Sequence, residues 1–96
     1  MSRTLLERRL DEVVARLRAL REELGVADEQ LAALADEADD ARLRALVSET
    51  PMAGREHDEA RRHADAMARH RADLVNQIDE LERRQDELLD RMTGAR

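Results

Sequence analysis

Apolar side chains recur along this chain at an alternating spacing of four and three residues, and one proline, Pro51, interrupts the pattern near the middle. Such alternation is the a/d pattern of a coiled coil, in which one stripe of each helix faces a partner helix. In the first half the stripe consists of Leu6, Leu10, Val13, Leu17, Leu20, Leu24, Ala27, Leu31, Leu34, Ala38, Ala41 and Ala45. In the second half it consists of Ala53, His57, Ala60, Ala64, Met67, Arg71, Leu74, Ile78, Leu81, Gln85, Leu88 and Met92. The sequence therefore predicts two long helices that pack along these residues, which we call the seam.

The residues around Pro51 predict where one helix ends and the next begins. A threonine directly before a proline is a strong start signal, because the Thr50 hydroxyl can cap the first turn and Pro51 occupies a position that needs no amide. We therefore predict helix one at about residues 5–47, a turn at about 48–50 and helix two at about 51–93.

Two further signals mark the outer ends of the helices. Thr4 followed by Glu7 has the spacing of a capping box, which predicts the start of helix one. Gly94 lies just beyond the last seam residue, where a glycine commonly ends a helix.

Two long helices joined by about three residues are expected to run antiparallel. Charge favours the same arrangement, since residues 22–40 carry eight acids and no base, whereas the segment of helix two that would face them is rich in arginine and histidine. A parallel dimer of helix one would instead bring its acids together. The predicted fold class is all-α, with residues 1–96 forming a single antiparallel two-helix coiled-coil hairpin.

The seam changes in composition along the predicted hairpin. Far from the turn its layers contain large side chains, such as Leu20 with Ile78, and near the turn they contain small ones, such as Ala38 with Ala60. A buried leucine contributes about 2 kcal/mol. We therefore expect the end with the chain termini to be the stable end, and the turn end to open first.

Three seam positions are polar: His57, Arg71 and Gln85. Polar residues at such positions commonly fix the register of a coiled coil. Arg71 would face only Ala27, so we expect its aliphatic stem to lie along the seam while its guanidinium group reaches water.

Composition excludes several classes of protein. The chain has no Cys, Phe, Tyr or Trp, 42% of its residues are charged, and its net charge is -6. Disulfides, thiolate nucleophiles and cysteine zinc sites are therefore excluded, and a general affinity for nucleic acid is not expected. No apolar run has the length of a signal sequence or a membrane span, so we expect a cytoplasmic protein. High charge without aromatics also marks disordered chains, but the regular seam argues against disorder.

No pattern of catalytic residues is present. The chain lacks a glycine-rich phosphate loop and a nucleophile elbow, and a two-stranded coiled coil offers no pocket for paired carboxylates. His63 and His70 are seven residues apart, and together with Glu37 they would form at most a weak zinc site. We predict no enzymatic activity, no cofactor and no metal site, with these histidines on the surface.

Four apolar residues near the turn lie off the seam: Leu43, Leu46, Val47 and Met52. We call them the turn patch. One interpretation is that helices drift by about 20° per heptad from a strict 3.5-residue period, which would rotate some of these side chains inward to close the hairpin. The other is an exposed surface that binds a partner protein or a second copy.

A second apolar set lies beside the seam, at the flanking e positions. We call it the side stripe, and it consists of Val14, Ala35, Ala68, Val75 and Leu89. A lone two-helix hairpin of this size is marginally stable. The side stripe therefore predicts a homodimer in which two hairpins pair as a four-helix bundle.

The run "ADDARLRALVSETPMAGREHDEARRHADAMARHR", together with "QDELLDRM", covers much of the chain. In these segments the chain resembles small uncharacterised coiled-coil hairpin proteins of actinobacteria. The resemblance implies a helical hairpin and carries no activity with it.

The stretch Asp36-Glu37-Ala38-Asp39-Asp40-Ala41 resembles the Asp-x-x-Asp-x-Ala tip motif of DksA-like regulators. These regulators, like Gre-like factors, insert an acidic coiled-coil tip into the secondary channel of RNA polymerase. The resemblance implies that Asp36 and Asp39 reach toward the catalytic metal of the polymerase. The corresponding function would act through an acidic face of Asp36, Asp39 and Asp40. The motif lies about two helical turns before Pro51, and the chain lacks the four-cysteine zinc domain of that family.

The favoured prediction is thus a non-enzymatic interaction module whose turn end binds a protein partner. The polymerase regulator is the alternative.

Overall fold

The computed structural model describes residues 3–94, which form two α-helices. Helix α1 spans Arg3–Ser48 and helix α2 spans Pro51–Thr93, with Glu49 and Thr50 between them. The predicted all-α helical hairpin is confirmed.

The start of α1 differs from the prediction. The helix already includes Arg3, so Thr4 lies inside it and cannot be its N-cap. The prediction that a Thr4–Glu7 capping box starts helix one was therefore wrong. Helix α1 also extends one residue beyond the predicted end, to Ser48.

The turn consists of a C-cap followed directly by an N-cap. Glu49 has a positive φ of 51°, and its N–H donates to the Ala45 carbonyl oxygen at 3.1 Å, which is the αL motif that closes many helices. Thr50 Oγ1 then accepts from the Ala53 N–H at 3.1 Å. The predicted start of α2 at Thr50 and Pro51 is confirmed.

Burial follows the predicted seam. Every seam residue is buried or half-buried. In α1 beyond Leu10, all side chains outside the seam are exposed. In α2 the non-seam residues that are not exposed are Gly54, Val75, Arg84 and Asp90. The spacing of four and three residues thus identified the packed stripe of both helices.

The chain divides into two compact units. Among the described residues, the terminal unit comprises 3–24 and 73–94, and its buried apolar residues are Leu6, Val13, Leu17, Leu20, Leu74, Ile78 and Leu88. The turn unit comprises residues 25–72, and its buried apolar residues are Ala27, Ala41 and Ala53. The buried side chains are large in the terminal unit, whereas in the turn unit they are alanines, as the seam composition predicted.

Ion pairs between the helices accompany the seam in each unit. In the terminal unit Arg21 Nη2 lies 2.9 Å from Glu82 Oε2. In the turn unit Arg71 Nε donates to Asp28 Oδ1, while the Arg71 side chain stays 42% exposed. Arg71 therefore follows its prediction, with its stem half-buried at the seam and its charged group at the surface.

Candidate docking surface at the turn

The four side chains of the turn patch point into solvent. Leu43 is 52% exposed, Leu46 64%, Val47 86% and Met52 62%. The alternative in which helix drift rotates some of them inward is wrong for this structure. The reason is that the alanine seam residues close the two helices without them.

Helix geometry explains why these residues share a surface. With Ala41 and Ala45 at seam positions, Leu43, Leu46 and Val47 occupy positions f, b and c, on the opposite side of α1. Residues three and four apart on a helix are surface neighbours, so the three form one ridge on its last turns. Met52 lies on the first turn of α2, just after the capped connection.

The acidic face occupies the same side of α1. Asp36, Asp39 and Asp40 also fall at positions f, b and c, and all three are exposed. Asp39 Oδ1 lies 3.5 Å from Arg42 Nε, so one acid is paired within its own helix. The acidic face therefore lies on the same outer side of α1 as Leu43, Leu46 and Val47, the three residues of the turn patch that belong to this helix.

The structure also contains a shallow surface concavity that the sequence did not predict. It is lined by Met52, Arg55, Glu56, Asp58, Glu59 and Arg62. All six belong to α2, so α1 contributes no wall. An open depression along one helix does not shelter paired carboxylates from water, as acid–base chemistry would need.

The predicted surface position of the histidines is confirmed for His63. Its Nε2 lies 4.0 Å from Glu59 Oε1, and its side chain is 60% exposed. Among residues 3–94, no three His, Asp or Glu side chains are grouped as a metal site would require.

The side stripe is divided between the two units. In the terminal unit Val14 is 38% and Leu89 41% exposed, and Val75 is half-buried. In the turn unit Ala35 and Ala68 are exposed. The Arg21–Glu82 ion pair lies one heptad from Val14 along α1 and one heptad from Leu89 along α2. This contact places Val14 and Leu89 on one edge of the terminal unit and also shows that charge interrupts the apolar stripe there.

Among the described residues, sequence reasoning missed one large exposed apolar side chain. Val26 is 54% exposed at a c position of α1 in the turn unit. The seam register already places it on the outer surface, in the same heptad position as Val47. Val26 stands three heptads away from Val47, and the intervening c positions are Ala33 and Asp40.

None of the helices in the described part of the chain has a stretch apolar and long enough for a membrane crossing. Comparisons of the chain with protein-family models, curated proteins and solved structures give no match. The candidate surface therefore rests on the residues and the geometry described above.

Proposed function

We propose that this chain is a non-enzymatic interaction module that binds a protein partner through its turn end. The observation that carries the proposal is the exposure of Leu43, Leu46, Val47 and Met52, each more than half exposed within ten residues of one turn. Clustered exposed apolar side chains mark interaction sites on monomers. Because capped helices hold these residues, binding needs little ordering of the backbone.

A photo-crosslinking experiment tests this proposal. A photoreactive amino acid such as p-benzoylphenylalanine replaces Val47 in one variant and Val26 in the control, since both residues are exposed c positions of α1. We expect a discrete crosslinked partner from position 47 and none from position 26, and we expect the change Leu46→Asp to remove it. Equal crosslinking from both positions, or a product that survives Leu46→Asp, would overturn the proposal.

Self-association belongs to the same proposal. We expect two hairpins to pair through the exposed Val14 and Leu89 edge of the terminal unit, which would leave the turn patch free for the partner. A cytoplasmic setting stays a prediction. That the chain is related to small coiled-coil hairpin proteins of actinobacteria also stays a prediction.

One observation favours the polymerase regulator as a second candidate function. Asp36, Asp39 and Asp40 are exposed on one side of α1 in the turn unit, as acids reaching toward a catalytic metal would need to be. Adding the protein to purified RNA polymerase should then alter abortive synthesis or transcript cleavage. The triple change of these aspartates to asparagine should remove the effect, and an unchanged product pattern with the native protein excludes this function.

A further inference from the structure

The outer side of α1 in the turn unit has an acidic part followed by an apolar part. Asp36 and Asp40 precede Leu43, Leu46 and Val47 in the repeating f, b and c positions, so the two parts are continuous along about three turns of one helix. An interaction surface of this kind selects a partner by charge as well as by apolar contact.

The charge of the acidic part is not neutralised within the described residues. Asp39 pairs with Arg42, but neither Asp36 nor Asp40 has an ion pair within 4.0 Å in residues 3–94. Two unpaired carboxylates beside an exposed apolar ridge favour a partner with positive charge beside its own apolar residues.

A second copy of the chain does not offer that complement. Its own α1 face would bring acid to acid, which repels. On the outer side of α2, Arg55, Arg62 and Arg69 alternate with Asp58, Glu59 and Asp65, so that face has no net charge to match. The charges therefore favour a different protein over a second copy.

The ridge formed by Leu43, Leu46 and Val47 indicates the secondary structure of the partner. Side chains spaced three and four residues apart pack into the grooves of another helix. An added β-strand needs a sheet edge, and residues 3–94 contain no strand.

We propose that this face binds a basic amphipathic helix, whose apolar residues cover Leu43, Leu46 and Val47 and whose Lys or Arg residues lie beside Asp36 and Asp40. The inference rests on the proposed function, because it assigns a partner chemistry to the same turn end. In the bound state α1, α2 and the partner form a three-helix arrangement at the turn unit.

Two synthetic peptides test the charge preference. Both are helical, about eighteen residues long, and carry one tryptophan on a leucine stripe. They differ only in that one carries four lysines at the end of its stripe and the other four glutamates. Because the protein has no aromatic residue, peptide tryptophan fluorescence reports binding without background. We expect the lysine peptide to bind at least tenfold more tightly at low salt, and the preference to shrink as salt rises.

Matched variants of the protein locate the binding surface. The change Val47→Asp should weaken binding of the lysine peptide at least tenfold, since it replaces an apolar side chain that the peptide buries with a charged one, whereas Val26→Asp should leave binding unchanged. The pair Asp36→Asn and Asp40→Asn should weaken it about three- to tenfold, whereas the control pair Asp11→Asn and Asp79→Asn, both exposed acids of the terminal unit, should not. Helical circular dichroism confirms that each variant is folded.

Three other results would each contradict the inference, and they differ in what they imply for the proposed function. If both peptides bind equally and Val47→Asp weakens both, the turn end docks a partner but the charge assignment fails, and the proposed function stands. If Val47→Asp has no effect or neither peptide binds, the assignment of a basic helix to this face fails, and photo-crosslinking at position 47 decides the proposed function separately. If Val47→Asp lowers the mass of the protein in solution, the occupant is a second copy.

Discussion

Glu49 is the residue with the least usual backbone in the described chain. Its φ of 51° lies in the left-handed region, where a side chain costs roughly 1–2 kcal/mol relative to the ordinary helical conformation. The hydrogen bond from its N–H to Ala45 and the directly following cap at Thr50 hold it there. Glycine is the residue that commonly fills this position.

Replacing Glu49 by glycine should therefore stabilise the protein. We expect Glu49→Gly to raise the free energy of unfolding by about 0.5–1 kcal/mol, because glycine adopts a positive φ without steric cost. Urea denaturation followed by helical circular dichroism measures it. The control Ser48→Gly, one residue earlier in helical conformation, should destabilise instead. Stabilisation by both changes, or by neither, would contradict this account of the turn.

Thr50 provides the second residue-scale prediction. Removing its hydroxyl in Thr50→Ala leaves the Ala53 N–H without its cap, which should cost about 1 kcal/mol, while Thr50→Ser should retain most of the stability. Thr93 serves as the comparison, since its hydroxyl donates to the Asp90 carbonyl and caps no N-terminus. An equal loss from Thr50→Ala and Thr93→Ala would show that the N-cap has no special role.

Residue-level detail was only partly predictable from the sequence. Thr50 and Pro51 predict an N-cap by their residue types. The left-handed backbone of Glu49 was not predictable, because glutamate seldom adopts that conformation. Ion pairs were predictable in kind but not in partner. Asp58 is followed by an arginine at both three and four residues, Arg61 and Arg62, and the structure has Arg61 Nη2 4.0 Å from Asp58 Oδ1. Long exposed side chains choose among neighbouring partners with little energy difference.

At the scale of the helices, the two units differ in how much each layer buries. Leu20 is fully buried in the terminal unit, whereas Leu34 in the turn unit is half-buried. We expect Leu20→Ala to lower the free energy of unfolding by about 3 kcal/mol and Leu34→Ala by about 1 kcal/mol. Urea unfolding of both variants measures the difference, and equal losses would contradict the unequal packing.

Local opening should follow the same difference. Backbone amides of residues 25–72 should exchange with solvent at least tenfold faster than those of residues 3–24 and 73–94, since alanine layers bury less apolar surface. Hydrogen exchange with mass spectrometry measures this by segment. Leu17→Ala is the control, since it removes a fully buried side chain and should speed exchange in the terminal unit. Uniform protection across the two units would show that they open together.

For the molecule as a whole, the seam made the fold predictable because it is a repeated signal. Each seam position is weak alone, but twenty-four of them in register identify the buried stripe of both helices, and the two-residue connection makes the helices antiparallel. The candidate surface was less predictable. Leu46 and Val47 lie outside the seam positions, and such residues can either rotate inward or stay exposed. Only the closeness of the alanine packing decides between these, and a sequence pattern does not measure it.

Self-association is the prediction that belongs to the whole molecule. We expect a mass near twice 11.0 kDa by light scattering, and a return to 11.0 kDa in the double variant Val14→Asp and Leu89→Asp, which places charge on the exposed edge of the terminal unit. Val47→Asp should leave the mass at the higher value, because it lies in the turn unit. A native mass of 11.0 kDa would mean that the Arg21–Glu82 pair interrupts the stripe too much for pairing.

The division between leucine layers and alanine layers has a mechanical consequence. When the start of α1 and the end of α2 are pulled apart, an antiparallel pair opens like a zipper, and the load acts on one layer at a time. The terminal unit, with its large buried side chains, meets the force first. Once it yields, the alanine layers resist less than the force already applied. The hairpin should therefore unfold in an optical trap in a single cooperative event at one force, without intermediate steps. It would hold its length up to that force and then extend completely.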